Sequence, residues 1–171
     1  EDLHRVADLE LEVWGLNPID AVPANVLAMT AHNGGVVIIA EDDTASDEII
    51  GFAIGFPARR GDAWLLWSHI TGVHPNHQGK GIGQALKLRQ RTWANQMGYK
   101  EIGWTFDPLQ AGNANFNLNV LGAVAQRYHP DFYGPMTDGI NKQPLPSDRL
   151  EARRAVRDQL DHITKPVIRT A

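Results

Sequence analysis

The stretch from Ala63 to Met97 constrains this chain more than any other. Ala63 to Val73 reads as one long strand, with Leu65, Trp67, His69, Thr71 and Val73 on one face and Leu66, Ser68, Ile70 and Gly72 on the other. Val73-His74-Pro75-Asn76-His77-Gln78-Gly79-Lys80-Gly81-Ile82-Gly83-Gln84 follows as a glycine-dense turn. A helix then runs from about Gly81 to Met97, with Ile82, Ala85, Leu86, Arg89, Trp93 and Met97 as its inward stripe and the arginine as the exception. A strand, a glycine turn and a helix start aim backbone N–H groups and a positive dipole end at one point. A phosphate or pyrophosphate suits such a cradle; a plain strand-to-helix turn is the bland alternative. The spacing is Gly-x-Gly-x-Gly, so the dinucleotide fingerprint Gly-x-Gly-x-x-Gly does not fit. A P-loop fails too, because Gly81 follows Lys80 where Ser or Thr is required.

Around this unit the chain alternates. Residues 2–14 and 23–32 read as helices, stopped by Gly15 with Asn17-Pro18 and by Asn33-Gly34-Gly35. Val36 to Glu41 and Ile49 to Phe56 read as an antiparallel hairpin across a polar turn at 42–47, and Arg59-Arg60-Gly61-Asp62 as the next turn. Tyr99 to Phe106 is a strand closed by Asp107-Pro108, Ala111 to Leu121 a short helix, and Ala123 to His129 the last clear strand. The expected fold class is α/β with an α+β-like mixed sheet, antiparallel and parallel, flanked by helices on both faces. Leu150 to His162 reads as a mixed-charge helical tail, and Ile163 to Arg169 as a poor strand because Pro166 interrupts it.

Composition removes whole classes of function. The 171 residues are one domain's worth of chain, and a net charge of −4 argues against a nucleic-acid partner. The chain has no cysteine, which excludes disulfides, thiolate nucleophiles and zinc–cysteine sites. No apolar run is long enough for a membrane span, and a cytoplasmic location is the default expectation. His74-x-x-His77 has the spacing of a metal pair, but Pro75 breaks the helix it would need, so no metal is expected.

Gln78, Gly81 and Gly83 spell Gln-x-x-Gly-x-Gly, and Val73 to Leu86 throughout resembles the core motif of the GNAT family of acyl-CoA-dependent N-acyltransferases. The resemblance covers roughly residues 2 to 134, and within the family the chain looks like a bacterial branch. Trp104 to Gln110, Asn117 to Ala123 and Tyr133-Gly134 carry that finer likeness. The implied domain spans residues 1–149, with 150–171 as the tail. The family opens with a strand ahead of the first helix and closes with a seventh strand. Neither is visible here, and a homodimer partner completing the sheet is one solution.

The resemblance implies direct transfer from acetyl-CoA, or another acyl-CoA, to the primary amine of a small molecule. It assigns the pyrophosphate to Gln78, Gly79, Lys80, Gly81, Ile82, Gly83 and Gln84. It assigns the pantetheine to the backbone of Ile70, Thr71, Gly72 and Val73, in a gap where this strand splays from 99–106, with Asn113 as a further contact. His69 lies where some family members carry a catalytic histidine and is the first candidate for general base; a core histidine is the alternative. Asp107 is the second, against a helix N-cap or Asx turn before Pro108. The family's tyrosine acid would fall at Leu118, so that carry-over fails. Tyr133 is the preferred replacement and Tyr128 the other, with packing the alternative for both. An acyl-CoA-binding sensor without turnover and a protein or peptide N-acetyltransferase remain as rival readings.

Overall fold

The computed structural model describes residues 1–42, 48–134, 146–156 and 167–171. Two helices open the chain, α1 (Asp2–Trp14) and α2 (Ala24–His32). Three strands follow, β1 (Val36–Glu41), β2 (Ile49–Arg60) and β3 (Ala63–Val73), then α3 (Ile82–Gln96) and β4 (Glu101–Phe106). A four-residue α4 (Ala111–Ala114) runs into a π turn (Asn115–Val120), and β5 (Val124–His129), β6 (Arg149–Ala155) and β7 (Val167–Thr170) complete the sheet. Gly15 ends α1 in the left-handed conformation at φ 61°, as its place after the last apolar residue predicts.

The seven strands lie in the order β5-β6-β4-β3-β2-β1-β7. β3 and β4 are parallel, joined by α3; every other pairing is antiparallel. The mixed sheet is the expected one. Its core lies on both faces, as the unbroken apolar run of β1 requires. Val36, Ile38 and Ala40 pack with Ile82 and Leu86 of α3 on one side. Val37 and Ile39 pack with Val6, Leu9 and Leu27 of α1 and α2 on the other.

Several boundaries move. β2 continues through Arg60, so only Gly61 and Asp62 turn the chain toward β3. The inward face of α3 includes Lys87, Gln90, Arg91 and Ala94, while Met97 is exposed. The larger correction concerns the tail. Residues 149–155 are not helical but form β6, inserted between β4 and β5. Their Glu, Ala and Arg content favours a helix locally, yet Glu151 is buried and its carboxylate is met by Arg60, His129 and Arg153. Arg60 and His129 reach it from other strands, and those distant partners override local propensity. Val167–Thr170 is a strand as well, pairing with β1. In the sequence it begins directly after Pro166, so the interruption expected from that proline falls outside the strand's bounds. Both of these strands are supplied by the chain itself. The turn residues 43–47, residues 135–136 of the loop after Tyr133 and the rest of the tail at 157–166 lie outside the described residues.

Candidate active site

The site starts from a fault in β3. Ile54 pairs with Ile70 and the next residue, Gly55, with Ser68, so His69 is an extra residue with no partner on β2. This bulge reverses the alternation of the strand. Leu66 before it and Val73 after it both pack on the α3 side, whereas Ile70 packs on the α1 side. The two uniform faces expected from the sequence are thereby corrected. Gly72 also turns toward α1, where a Cβ would meet the Trp14 ring at 2.7 Å and the Phe52 ring at 2.9 Å. No larger residue fits there.

On its other edge β3 pairs with β4 only at Leu66 with Ile102 and Trp67 with Gly103. Beyond that point the two strands part, as the expected splay requires. The fork opens into a cleft of about 600 Å³ lined from both faces of the sheet. His69, Ile70, Thr71, Asp107, Asn113 and Tyr133 all border it. Of the predicted catalytic residues only Tyr128 lies elsewhere. It stands half-exposed on β5 with its hydroxyl donating to Asp148, a contact that raises the phenol pKa and lowers that of the carboxyl.

Each lining group has a definite setting. The His69 ring is partly open to solvent, packs against Phe56 at 5.8 Å, and has its pKa lowered by the protein around it, which favours the neutral imidazole. Asp107 accepts a 2.8 Å bond from the Leu109 N–H, which is the Asx turn anticipated before Pro108. Tyr133 shares a 3.3 Å hydrogen bond with the Thr105 hydroxyl, and the Arg149 guanidinium lies 5.4 Å from its ring centroid. Leu118 packs against the core and supplies no proton.

The glycine turn sits at the end of β3. Gln78 donates from its side chain to the Val73 carbonyl at 3.1 Å, tying the turn to the strand. Gly79 and Gly81 have φ of 74° and 81°, and nothing stands within 4 Å of where their Cβ atoms would be. Their glycine identity thus follows from backbone conformation. No side chain caps the N-terminus of α3, so its first N–H groups are available to an anion. His74 instead caps the short 3-10 turn Pro75–His77, its Nδ1 accepting from the Asn76 N–H at 3.2 Å. Glu12 lies 3.7 Å from His74 Nε2, a carboxylate neighbour that sequence spacing did not show.

Two buried charges in the cleft were missed. Glu10 of α1 is 2% exposed, accepts from the Val22 N–H at 3.1 Å, and has its pKa raised by burial. In the sequence it stands only as the polar member of the stripe Leu3, Val6, Ala7, Glu10, Val13 and Trp14. Lys87 of α3 is 8% exposed; its ammonium donates to Ser68 Oγ at 2.7 Å and lies 4.2 Å from the Trp104 ring centroid. Desolvation brings its pKa down to about 7. The Trp104 ring is itself held by the π turn, whose extra residue per turn carries Asn117 to it. The indole Nε1–H donates to Asn117 Oδ1 at 2.7 Å, and Asn117 Nδ2 donates to the Asn113 carbonyl at 2.8 Å.

A seven-stranded mixed sheet split at a parallel pair, with an uncapped helix start at the end of the split strand, defines an acyltransferase of the GNAT class. The chain belongs to this superfamily: a family model described as an acetyltransferase (GNAT) domain matches residues 33–117, from just before β1 into the π turn. It is accordingly an enzyme of the N-acetyltransferase class. No curated protein sequence matches it. Among solved structures it is similar to the ribosomal-protein-S18-alanine N-acetyltransferase of Escherichia coli, at 14% identity and a TM-score of 0.69, covering 96% of this chain and 94% of that one. It is also similar to aminoglycoside 6'-acetyltransferase type Ii, at 16% identity and a TM-score of 0.68, covering 92% and 91%. Naa20 of Chaetomium thermophilum, crystallised with a bisubstrate analogue, gives 18% identity and a TM-score of 0.67, covering 90% and 82%. At such identities these likenesses carry the fold.

Proposed function

We propose that the chain transfers an acyl group from an acyl-CoA thioester directly to the primary amine of a small molecule. The observation that carries this reading is the β3–β4 fork, a cleft holding His69 and Glu10 beside the strand that leads through the glycine turn into α3. The residues fit a CoA moiety. Gln78 to Gln84 would hold the pyrophosphate through backbone N–H groups and the dipole of α3. The backbone of Ile70 to Val73, on the unpaired edge of β3, would hold the pantetheine as an added strand does, with Asn113 opposite. When bound, the thioester supplies an activated carbonyl and a thiolate leaving group.

The chain's own groups then manage charge and protons. An alkyl amine with a pKa near 10 is only about one part in a thousand neutral at pH 7, so the acceptor must lose a proton before it can attack. Glu10, a buried carboxylate on the α1 side, attracts the cationic amine, and neutral His69 takes its proton. A backbone N–H of the β3 edge donates to the carbonyl oxygen. Tyr133 donates to the departing sulfur, with Asp107 held as an orienting carboxylate by its own turn.

CoA titration on Gly81 variants tests the anion site. Gly81→Ala pays about 1 kcal/mol for its left-handed backbone and leaves most of the CoA affinity. Gly81→Glu adds a negative charge at the cradle, and its affinity falls at least about tenfold further, as expected for a lost charge-assisted contact. Equal affinities for the two variants remove the turn from the site. Thiol release from several acyl-CoAs against an amine panel tests turnover; binding of acyl-CoA with no release against any amine marks a sensor instead.

A further inference from the structure

The fork ends on a cation. Ser68 and Trp104 are the first residues beyond the last β3–β4 pair, and the Lys87 ammonium reaches both, at 2.7 Å from Ser68 Oγ and 4.2 Å from the Trp104 ring centroid. All three line the cleft. The position is well held, because Asn117 fixes the indole and α3 fixes the lysine stem. It is also electrostatically incomplete. Lys87 is more than nine-tenths buried, and among the described residues no carboxylate pairs with it. Its oxygen partners are neutral, and the second of them, Gln90 Oε1, stands at a long 3.4 Å. A buried ammonium without a counter-ion is costly, and an aliphatic side chain would pack this inward face of α3 more favourably. The methyl of an acetyl group gives such a cation nothing to bond.

We infer that Lys87 forms the end wall of the acyl chamber and selects an acyl group bearing a carboxylate at its far end, the half-thioester of a dicarboxylic acid. This rests on the reading that the fork receives an acyl-CoA thioester. Of the three N–H donors, one is held by Ser68 and one lies over the Trp104 face, and the donor directed along the long contact to Gln90 is the one an incoming carboxylate takes. Ser68 Oγ keeps the ammonium aimed. The carboxylate is not consumed: the amide bond still forms at the thioester carbonyl, and CoA leaves as the thiol. The half-neutral state of Lys87 near pH 7 is consistent with a missing counter-charge, which a bound carboxylate restores.

Succinyl-CoA and butyryl-CoA share a four-carbon acyl chain and differ in ending on a carboxylate or a methyl. Their equilibrium affinities, with CoA as reference, are measured by calorimetry at pH 7 on the wild-type protein, Lys87→Met and Lys87→Arg. Wild type is expected to bind succinyl-CoA about 10- to 100-fold more tightly than butyryl-CoA, the range of a charge-assisted bond in a buried site. The ratio of the two affinities should fall to one or below in Lys87→Met and stay above one in Lys87→Arg. Equal affinities in wild type overturn the inference, whatever the variants do, and so does a preference that survives Lys87→Met. If CoA itself fails to bind wild type, the acyl-CoA reading of the fork falls and this inference with it. Binding of CoA without discrimination between the two thioesters removes this inference alone.

Discussion

The two charges that the cleft buries differ in how far the sequence shows them. Glu10 interrupts an apolar stripe on α1 and is visible as a misfit. Lys87 is hidden because Arg89 and Met97 draw the stripe of α3 to the wrong register, whereas the sheet receives Lys87, Gln90 and Ala94. A lysine's long stem lets it point inward from a helix that reads as amphipathic without it. Burial also makes Lys87 a liability that can be measured. Its pKa of about 7 in the folded chain lies below the ordinary 10.5, so between these values the unfolded chain binds more protons. Stability therefore rises with pH through that window, and below about pH 7 the full penalty of the buried ammonium is present. At about 1.4 kcal/mol per pH unit, the rise from pH 7 to pH 9 is about 2–3 kcal/mol. Lys87→Met has no such group. Urea unfolding should find it more stable than wild type at pH 6, with the advantage shrinking steadily toward pH 9. A stability difference that does not change over that range would show that Lys87 is solvated.

Elements with strong local grammar are legible. The bounds of α1, β1 and β3 follow from apolar period, glycine stops and β-branched runs alone. The bulge at His69 has no local sign: neither Gly nor Pro marks it, and it exists because Gly55 of β2 pairs with Ser68 rather than His69. That one-residue slip separates His69 from a regular strand position and opens its ring to the cleft, so its candidacy as a base is a consequence of sheet register. β6 is illegible for the converse reason, since Arg60 and His129, which meet the buried Glu151 carboxylate, lie on other strands. The His69 role has a pH signature. Its pKa is lowered from 6.5, so wild-type kcat/KM should fall on the acid side only below pH 6.5. His69→Ala should lose roughly 100-fold in turnover at neutral pH and should lack that acid limb, with the loss narrowing at high pH as more amine becomes neutral. A profile from pH 5 to 9 decides it. An acid limb that persists in His69→Ala belongs to another group and removes the histidine from the role.

At the scale of the molecule, the sequence suggested a sheet short of strands at both ends of the chain, and the structure fills both places from the C-terminal side. β6 enters between β4 and β5, while β7 closes the far edge against β1, beside the start of α1. Sequence could not show this, because β7 is four residues long and its pairing depends on contacts more than a hundred residues away. Arg169 makes two bonds to the Glu41 carboxylate at 2.9 and 2.8 Å and reaches Asp2 at 2.9 Å, locking β7 to β1 and α1 together. The strand under this cover is among the most apolar in the chain, with Val36 to Ala40 wholly buried. An uncovered edge of that composition is a template for pairing with another chain. A chain ending at Lys165 should therefore keep the proposed CoA site, assigned above to β3 and β4 across the sheet, yet melt several degrees lower and self-associate. Arg169→Ala, which removes the lock but leaves the strand, should show a smaller fall and remain monomeric. Scanning calorimetry with light scattering distinguishes these outcomes. If the truncated chain stays monomeric at the wild-type melting temperature, β7 is not what protects β1.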